Sequence, residues 1–145
     1  MRVLNGGSFP LLRFDRGERF PEALAAWCAE TGVGGAVLLC GVGMMADVEL
    51  GVYDGSAYRR RVFPGPDEVL SLSGNVSMLD GKPFVHVHAV LGSHEFEARG
   101  GHLFGGTVAV TLEVALRITD TPLERGEAQG AFRPLQAPKG DIADT

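Results

Sequence analysis

The sequence predicts an α+β fold, with a mainly antiparallel sheet of about seven or eight strands and one main helix. Three observations support this. A single segment has the apolar spacing of a helix, and the chain after it alternates with a period of two. Turn-forming pairs such as Asp54-Gly55 and Asp80-Gly81 separate the alternating segments. Strands joined by such short turns run antiparallel, so we expect one sheet with the helix against one face or end.

The helix is predicted from Pro21 to residue 30, because proline is favourable in the first turn of a helix. Gly32 is a suitable residue for its C-terminal end. Apolar residues that share one face of this helix lie at Phe20, Leu24, Trp27 and Cys28.

The strands are predicted from alternation and from the turns between them. In chain order they are residues 10–14, 33–40, 47–53, 57–63, 68–78, 83–91, 95–98 and 107–119, with a further one near 130–135. Gly100-Gly101 is expected to break the short strand at 95–98, before the longest strand at 107–119. In that strand every even position from Val108 to Ile118 is apolar, which predicts a core-facing side. We expect one domain over residues 1–145, with its core at about 11–120 and a less regular tail at 121–145.

Composition excludes several classes of protein. The 145 residues include 18 acidic and 13 basic side chains, for a net charge of −5. An acidic chain has no general attraction for nucleic-acid phosphates. No apolar stretch approaches the roughly 20 residues of a membrane span, and no signal peptide is visible. The two cysteines, Cys28 and Cys40, are interpreted as reduced core thiols, so we expect a cytoplasmic protein without a membrane partner.

All four histidines lie between positions 86 and 102. His86 and His88 are two residues apart in a predicted strand, so both side chains point to one face, roughly 6.5–7 Å apart. His102 follows Gly100-Gly101, where a bend would return the chain beside the pair. Three neutral imidazoles at one point form a site for a divalent metal, with zinc favoured by geometry and availability. His94 is expected at the hairpin tip, in solvent.

A different interpretation of the three histidines remains open. They could be polar side chains on an open sheet face, bonded to water or to another subunit. Asn75 flanks the histidine strand and is a candidate for orienting a ligand, or simply a turn residue. Glu113 is a candidate general base or partner to an imidazole N–H, or a solvated carboxylate. Asp47 and Glu49 are weaker candidates of the same kind.

Arg59-Arg60-Arg61 is the only run of basic residues in the sequence. Three arginines in a strand next to a turn are typical of a solvated sheet edge, and an anion contact is the less favoured interpretation. No run of aromatic residues accompanies them, so a groove for single-stranded nucleic acid is not indicated.

Several segments together resemble the plant and prokaryote conserved (PPC) domain family, over roughly residues 11–120. The segments that carry the resemblance are, in chain order, Gly41-Val42-Gly43 through Asp47-Val48-Glu49-Leu50-Gly51, Leu70-Ser71-Leu72-Ser73-Gly74-Asn75-Val76-Ser77, Asp80-Gly81-Lys82-Pro83-Phe84-Val85-His86-Val87-His88, and Gly100-Gly101-His102-Leu103 through Thr111-Leu112-Glu113-Val114.

The resemblance implies an antiparallel sheet with one helix, and a homotrimer whose histidines lie near subunit boundaries. Plant members carry an AT-hook that binds DNA, and this chain contains no Arg-Gly-Arg-Pro sequence. The fold is also similar to that of acetolactate decarboxylase, whose zinc is held by an HxH pair and a later histidine. His86, His88 and His102 match that pattern. The catalytic glutamates and arginine of that enzyme cannot be placed here, so its reaction is not implied.

Three functions follow as hypotheses. The first is a homotrimer that holds a divalent metal, with zinc favoured, through His86, His88 and His102 and that binds or acts on a small anionic ligand. Arginines such as Arg99 would steer that ligand. The second is a DNA-binding regulatory protein, by analogy with the plant relatives. The third is a metal-dependent lyase or hydrolase that activates a bound water.

Overall fold

The computed structural model describes residues 1–130 and 132–136, and within them it contains ten strands and one helix. The elements are β1 (Arg2–Asn5), β2 (Leu11–Asp15), β3 (Arg19–Phe20), α1 (Glu22–Thr31), β4 (Ala36–Tyr53), β5 (Tyr58–Phe63), β6 (Asp67–Leu79), β7 (Lys82–Gly92), β8 (Ala98–Ile118), β9 (Glu124–Arg125) and β10 (Leu135–Gln136). The predicted α+β class is confirmed, with more strands than expected.

The helix α1 forms as its apolar spacing predicts. Leu24, Trp27 and Cys28 are its buried residues. Gly32 ends the helix with a φ of 73°, in the left-handed region that glycine adopts without a steric penalty. The next amide, that of Val33, donates to the carbonyl of Cys28 at 2.9 Å and so satisfies one of the last helical carbonyls.

The four longest strands pair in a closed circuit. β4 pairs with β6 and with β8, and β7 also pairs with β6 and with β8, each time antiparallel. The circuit forms because β4 and β8 are long enough to change neighbours along their length. Apolar side chains fill its interior, among them the fully buried Leu72, Val87 and Leu112. β5 and β2 extend the sheet beyond the circuit, on β4 and β8 respectively.

Two predicted interruptions are wrong, because the glycines there permit close strand approach rather than breaks. The segments 33–40 and 47–53 belong to the single strand β4, which continues through Gly41 and Gly43. A Cβ atom at Gly43 would lie 2.1 Å from the carbonyl oxygen of Thr111. Gly100-Gly101 likewise lies inside β8, and a Cβ atom at Gly101 would lie 2.7 Å from the Gly51 oxygen.

Two predictions about burial, those for Cys40 and Val110, are wrong because the pairing between β4 and β8 is irregular. The register shifts between Leu38 and Cys40, so Cys40 turns outward and is exposed, and only Cys28 is a buried thiol. Between the pairs Gly43–Leu112 and Met45–Val108, β8 has two residues more than β4. Val110 lies in this bulge and is 51% exposed, although its neighbours on the same face are buried.

Smaller differences occur at the two ends of the chain and in the turn between β7 and β8. β1 was not predicted, and its four residues are all exposed. Residues 93–97, part of which was expected as a strand, form the turn between β7 and β8. The tail contains β9, β10 and an isolated bridge between Gln129 and Phe132. Residue 131 of the predicted strand near 130–135, and residues 137–145 of the predicted tail, lie outside the described residues. No helix in the described part of the chain is long and apolar enough to cross a membrane.

Candidate metal-binding site

Three histidines meet on one face of the β7–β8 pair. His86 and His88 alternate with the core-facing Val85 and Val87 along β7, so their rings share the opposite face, 5.2 Å apart between centroids. His102 of β8 is the register partner of His88. Its ring centroid lies 5.0 Å from that of His86 and 5.5 Å from that of His88. One ligand atom from each of the three lies within 4.8 Å of the others.

A tight connection between β7 and β8 produces this register. Within the turn at 93–97, the hydroxyl of Ser93 accepts hydrogen bonds from the amides of Glu95 and Glu97. The strands then pair without a register shift from Gly92–Ala98 to His88–His102. His94 lies in the turn and is exposed, on the part of the hairpin farthest from the other three.

The electrostatic environment keeps two of the rings neutral. Burial lowers the pKa of His102 to about 4, with further lowering by His86, His88, Arg60 and Arg125. The pKa of His86 is also lowered, mainly by burial and then by Arg125 and His88. A neutral imidazole has a free lone pair, so no proton has to leave these rings near pH 7 before they bind a metal.

His102 has a polar atom that lacks a partner. Its Nδ1 atom is buried and accepts or donates no hydrogen bond within the described residues. Leaving such an atom unpaired costs about 1–3 kcal/mol. A metal ligand bond would satisfy it, and the three imidazoles are a donor set that zinc and other divalent transition metals prefer. The residues present therefore fit a metal ion.

Arg125 of β9 also reaches the cluster and was not predicted. Its Nη2 atom donates to Oδ1 of Asn75 at 2.7 Å and lies 3.4 Å from Nδ1 of His86. Its Nε atom donates to the hydroxyl of Ser77 at 3.0 Å, and its Nη1 atom donates to the carbonyl of Arg133 at 2.9 Å. Burial lowers the pKa of Arg125, which remains charged. No spacing or motif marks this arginine, since it lies in a short strand beyond Pro122.

Of the other two candidate residues, Asn75 lies near the three histidines and Glu113 lies far from them. Asn75 is the register partner of His86 on β6, and its side chain accepts the bond from Arg125. Glu113 is not brought to the histidines. It lies eleven residues beyond His102 on β8 and pairs in register with Arg13 and Val42.

The basic residues named from the sequence lie mostly elsewhere. Arg99 is an odd number of residues from His102, so it faces the other side of the sheet, where it lies 3.9 Å from Asp67. Arg59 and Arg61 are exposed on β5, which pairs only with β4 and is an edge strand within the described residues. Arg60 alone turns toward the cluster.

Of the weaker acidic candidates, neither belongs to the histidine cluster. Glu49 lies 3.7 Å from Arg60, across the β4–β5 pair. Asp47 has a φ of 51° at an irregular position of β4, where its amide donates to the carbonyl of Pro64. Its role in this structure is that of a residue at a bend.

A cavity of about 540 Å³ adjoins two of the histidines. Aromatic and basic side chains dominate its lining. The lining residues that bear on its chemistry are Tyr58, Phe84, Phe104 and Phe132, the arginines Arg60, Arg125 and Arg133, and the histidines His86 and His102. The guanidinium of Arg60 lies 3.6 Å from the ring centroid of Phe104, a cation–π contact at the cavity wall.

The sequence profile of the Plants and Prokaryotes Conserved (PCC) domain, the PPC domain of the resemblance above, matches residues 1–120. The chain belongs to this family. A search of curated proteins finds no match to this PCC-domain chain.

Solved structures that are similar to this chain are consistent with its assignment to the family. A PPC protein from Pyrococcus horikoshii is 30% identical, with a TM-score of 0.82 and coverage of 92% of this chain and 94% of that chain. A protein from Archaeoglobus fulgidus, described as metal-containing, is 32% identical, with a TM-score of 0.80 and coverage of 94% and 96%. A protein from Ralstonia eutropha, whose name assigns it DNA binding provisionally, is 21% identical, with a TM-score of 0.85 and coverage of 94% and 96%. At that identity the last likeness concerns the fold alone.

Proposed function

We propose that this PCC-domain protein is a cytoplasmic homotrimer that holds one divalent metal ion per chain, zinc, and binds a small anionic ligand beside it. The ligands are His86, His88 and His102. The observation that carries the proposal is the approach of three imidazole ligand atoms to within 4.8 Å of one another. Such a metal would supply an electrophilic centre at which an anion or a water molecule binds.

Two further observations support the binding of a metal ion by the three histidines. The lowered pKa values of His86 and His102 keep their lone pairs free near pH 7. The Archaeoglobus fulgidus relative, 32% identical over almost the whole chain, is described as metal-containing. Zinc is favoured over other divalent ions because an all-imidazole set suits it and it is readily available in cells.

The anionic ligand is supported by the charge of the cavity. Arg60, Arg125 and Arg133 line it, and none of the described lining residues is a carboxylate. This arrangement favours ligand binding over the lyase or hydrolase alternative, because water activation is assisted by a general base near the metal. Glu113, the base considered from the sequence, lies far along β8.

DNA binding is the less favoured alternative. The fold neighbours named for it are 21% and 20% identical, which supports a shared fold only. The net charge of −5 opposes attraction to phosphates. Of the three consecutive arginines, Arg60 is engaged with Phe104 and Glu49 rather than free for a nucleic acid.

The homotrimer is supported by exposed apolar side chains on the paired strands β4 and β8. Val37, Val42 and Val110 are between 42% and 55% exposed there. Side chains of this kind are more stable against another subunit than in water. The subunit number itself comes from the family resemblance. Sedimentation equilibrium measures it, and a monomer at every concentration would contradict the proposal.

The metal is tested by elemental analysis of protein purified without a histidine tag. We expect about one metal ion per chain, and we expect His86→Ala combined with His88→Ala to abolish it, because one imidazole alone binds weakly. His94→Ala is the matched control, since this histidine lies in the exposed turn, and it should leave the metal content unchanged. Wild-type protein that stays metal-free after incubation with zinc would contradict the proposal.

A further inference from the structure

We infer that Arg125 and a metal ion compete for His86, and that the arginine released by the metal positions the carboxylate of an aromatic acid in the adjoining cavity. This inference rests on the metal site proposed above and names the chemical class of its ligand. It depends on three features of the structure: the contact between Arg125 and His86, the lack of a carboxylate partner for Arg125 among the described residues, and the aromatic lining of the cavity.

The first step concerns the two nitrogens of His86. A neutral imidazole has one N–H and one lone pair, and arginine is only a donor. The contact of Arg125 with Nδ1 therefore uses the lone pair and leaves the proton on Nε2. A metal at Nδ1 would displace the arginine directly. A metal at Nε2 would move the proton to Nδ1, where it would face another donor. The metal thus breaks the contact in either case.

The contact is weak enough to be given up. At 3.4 Å it is at the long end of hydrogen-bond distances. The other bonds of Arg125, to Ser77, Asn75 and the Arg133 carbonyl, are between 2.7 and 3.0 Å and do not involve a metal ligand. These three bonds would hold the guanidinium beside the cluster after His86 has turned to a metal.

The second step concerns donors and charge. A guanidinium has five N–H groups, and Arg125 uses four of them, so loss of the His86 contact leaves two free. Among the described residues no carboxylate lies within 4 Å of Arg125, whereas Arg60 has Glu49 and Arg133 has Asp80. A partly buried cation with two free donors is suited to a carboxylate, which accepts two parallel N–H bonds.

The third step concerns the body of the ligand. Tyr58 lies at the centre of the aromatic lining, with ring centroids 5.2 Å from Phe104 and 6.2 Å from Phe132. Phe84 lies beneath Arg125, 5.2 Å from its guanidinium carbon. Aromatic faces and edges favour a flat ring over a saturated or strongly hydrated group. A cavity of about 540 Å³ is large enough for such a ring with its acid group.

The experiment measures zinc and benzoate binding separately by titration calorimetry. For the zinc-loaded wild-type protein we expect benzoate to bind about tenfold or more tightly than acetate, because the ring is buried against aromatic side chains. Metal-free protein should bind benzoate at least about tenfold more weakly than zinc-loaded protein, because only one N–H donor of Arg125 is then free for a carboxylate and the charge of the metal is absent.

Arg125→Met separates a positioning role from a structural one. Zinc affinity should stay equal or rise, because a competitor for His86 and a nearby positive charge are gone, while benzoate affinity should fall about tenfold or more. Arg125→Lys keeps a charge in the tail but lacks the forked donors, so it should also lose benzoate affinity while keeping zinc. Arg61→Met is the matched control, because it removes an arginine outside the cavity, and both affinities should match those of the wild type.

The outcomes are distinguishable. Wild-type protein that does not bind zinc overturns the proposed function and this inference with it. Zinc binding with equal affinity for benzoate and acetate overturns the inference alone. The same holds if both Arg125 variants lose zinc affinity in parallel with benzoate affinity, since Arg125 would then be a support of the cluster rather than a competitor of the metal.

Discussion

The two ends of β8 are parts of one continuous strand, yet they differ in what surrounds them. At residues 98–102 the strand pairs with β7, and His102 meets two other histidines across that pair. At residues 108–118 it pairs with β4 and β2, and its inner face is packed in the core. Glu113, a polar residue at this end, pairs in register with Arg13 and Val42 rather than with a histidine. The comparison teaches that the neighbouring strand, rather than the strand itself, decides whether a polar side chain becomes part of a site.

The largest expected effect separates stability from metal binding. Leu112→Ala at the packed end should lower the free energy of unfolding by about 2–5 kcal/mol, because Leu112 is fully buried and its loss leaves a cavity. The folded fraction should keep its metal affinity, since no histidine has moved. Urea denaturation and zinc titration measure the two effects. Val62→Ala, on β5 where this side chain is 57% exposed, is the control and should cost less than about 1 kcal/mol. A loss of zinc affinity in folded Leu112→Ala protein would show that the two ends are coupled.

A smaller effect concerns acid stability at the histidine end. The pKa of His102 is about 4 in the folded protein and near 6.5 when unfolded. Between these values the unfolded chain binds more protons, so the free energy of unfolding of metal-free protein falls as the pH falls from 6.5 to 4. His102→Gln should make this fall shallower, by less than about 1.4 kcal/mol per pH unit, the value for one proton. Urea titrations at pH 7, 5.5 and 4.5 measure it. An unchanged or steeper pH dependence would argue against a neutral, buried ring.

The smallest effect is expected at Glu113. Glu113→Gln removes a half-buried charge that is the register partner of Arg13 and lies far from the histidines. We expect zinc affinity to be unchanged and the free energy of unfolding to change by less than about 1 kcal/mol, because Glu113 is partly exposed and such substitutions usually change stability little. Asn75→Ala is the variant for comparison at the histidine end, because Asn75 accepts a hydrogen bond from Arg125 beside His86. A fall in zinc affinity in Glu113→Gln protein would remove the distinction between the two ends.

Much of the fold could be predicted because local patterns determine it. The helical spacing from Phe20 to Cys28 and the turn at Asp80-Gly81 are local signals, and both predictions are confirmed. The shared face of His86 and His88 follows from alternation alone. The approach of His102 could be predicted because only a short turn separates β7 from β8, so register carries the third histidine back to the pair.

The remaining features depend on contacts between distant segments. Glycines in β4 and β8 resemble strand breaks in the sequence, and only the neighbouring strand shows that they permit close approach. The bulges that expose Cys40 and Val110 arise from pairing of two long strands with unequal residue counts. Arg125 reaches Asn75 across 50 positions of sequence, and no short-range pattern encodes such a contact.

The position of Arg125 in the chain has a consequence for the order in which the site is made. During synthesis the three histidines leave the ribosome first, and Arg125 follows 23 positions after His102. The residues of β7 and β8 are therefore outside the ribosome for a time while the arginine is still inside it. If the hairpin pairs at that stage, a nascent chain would meet metal ions before its own competitor for His86 has emerged, so loading during translation would be easier than loading of the finished protein.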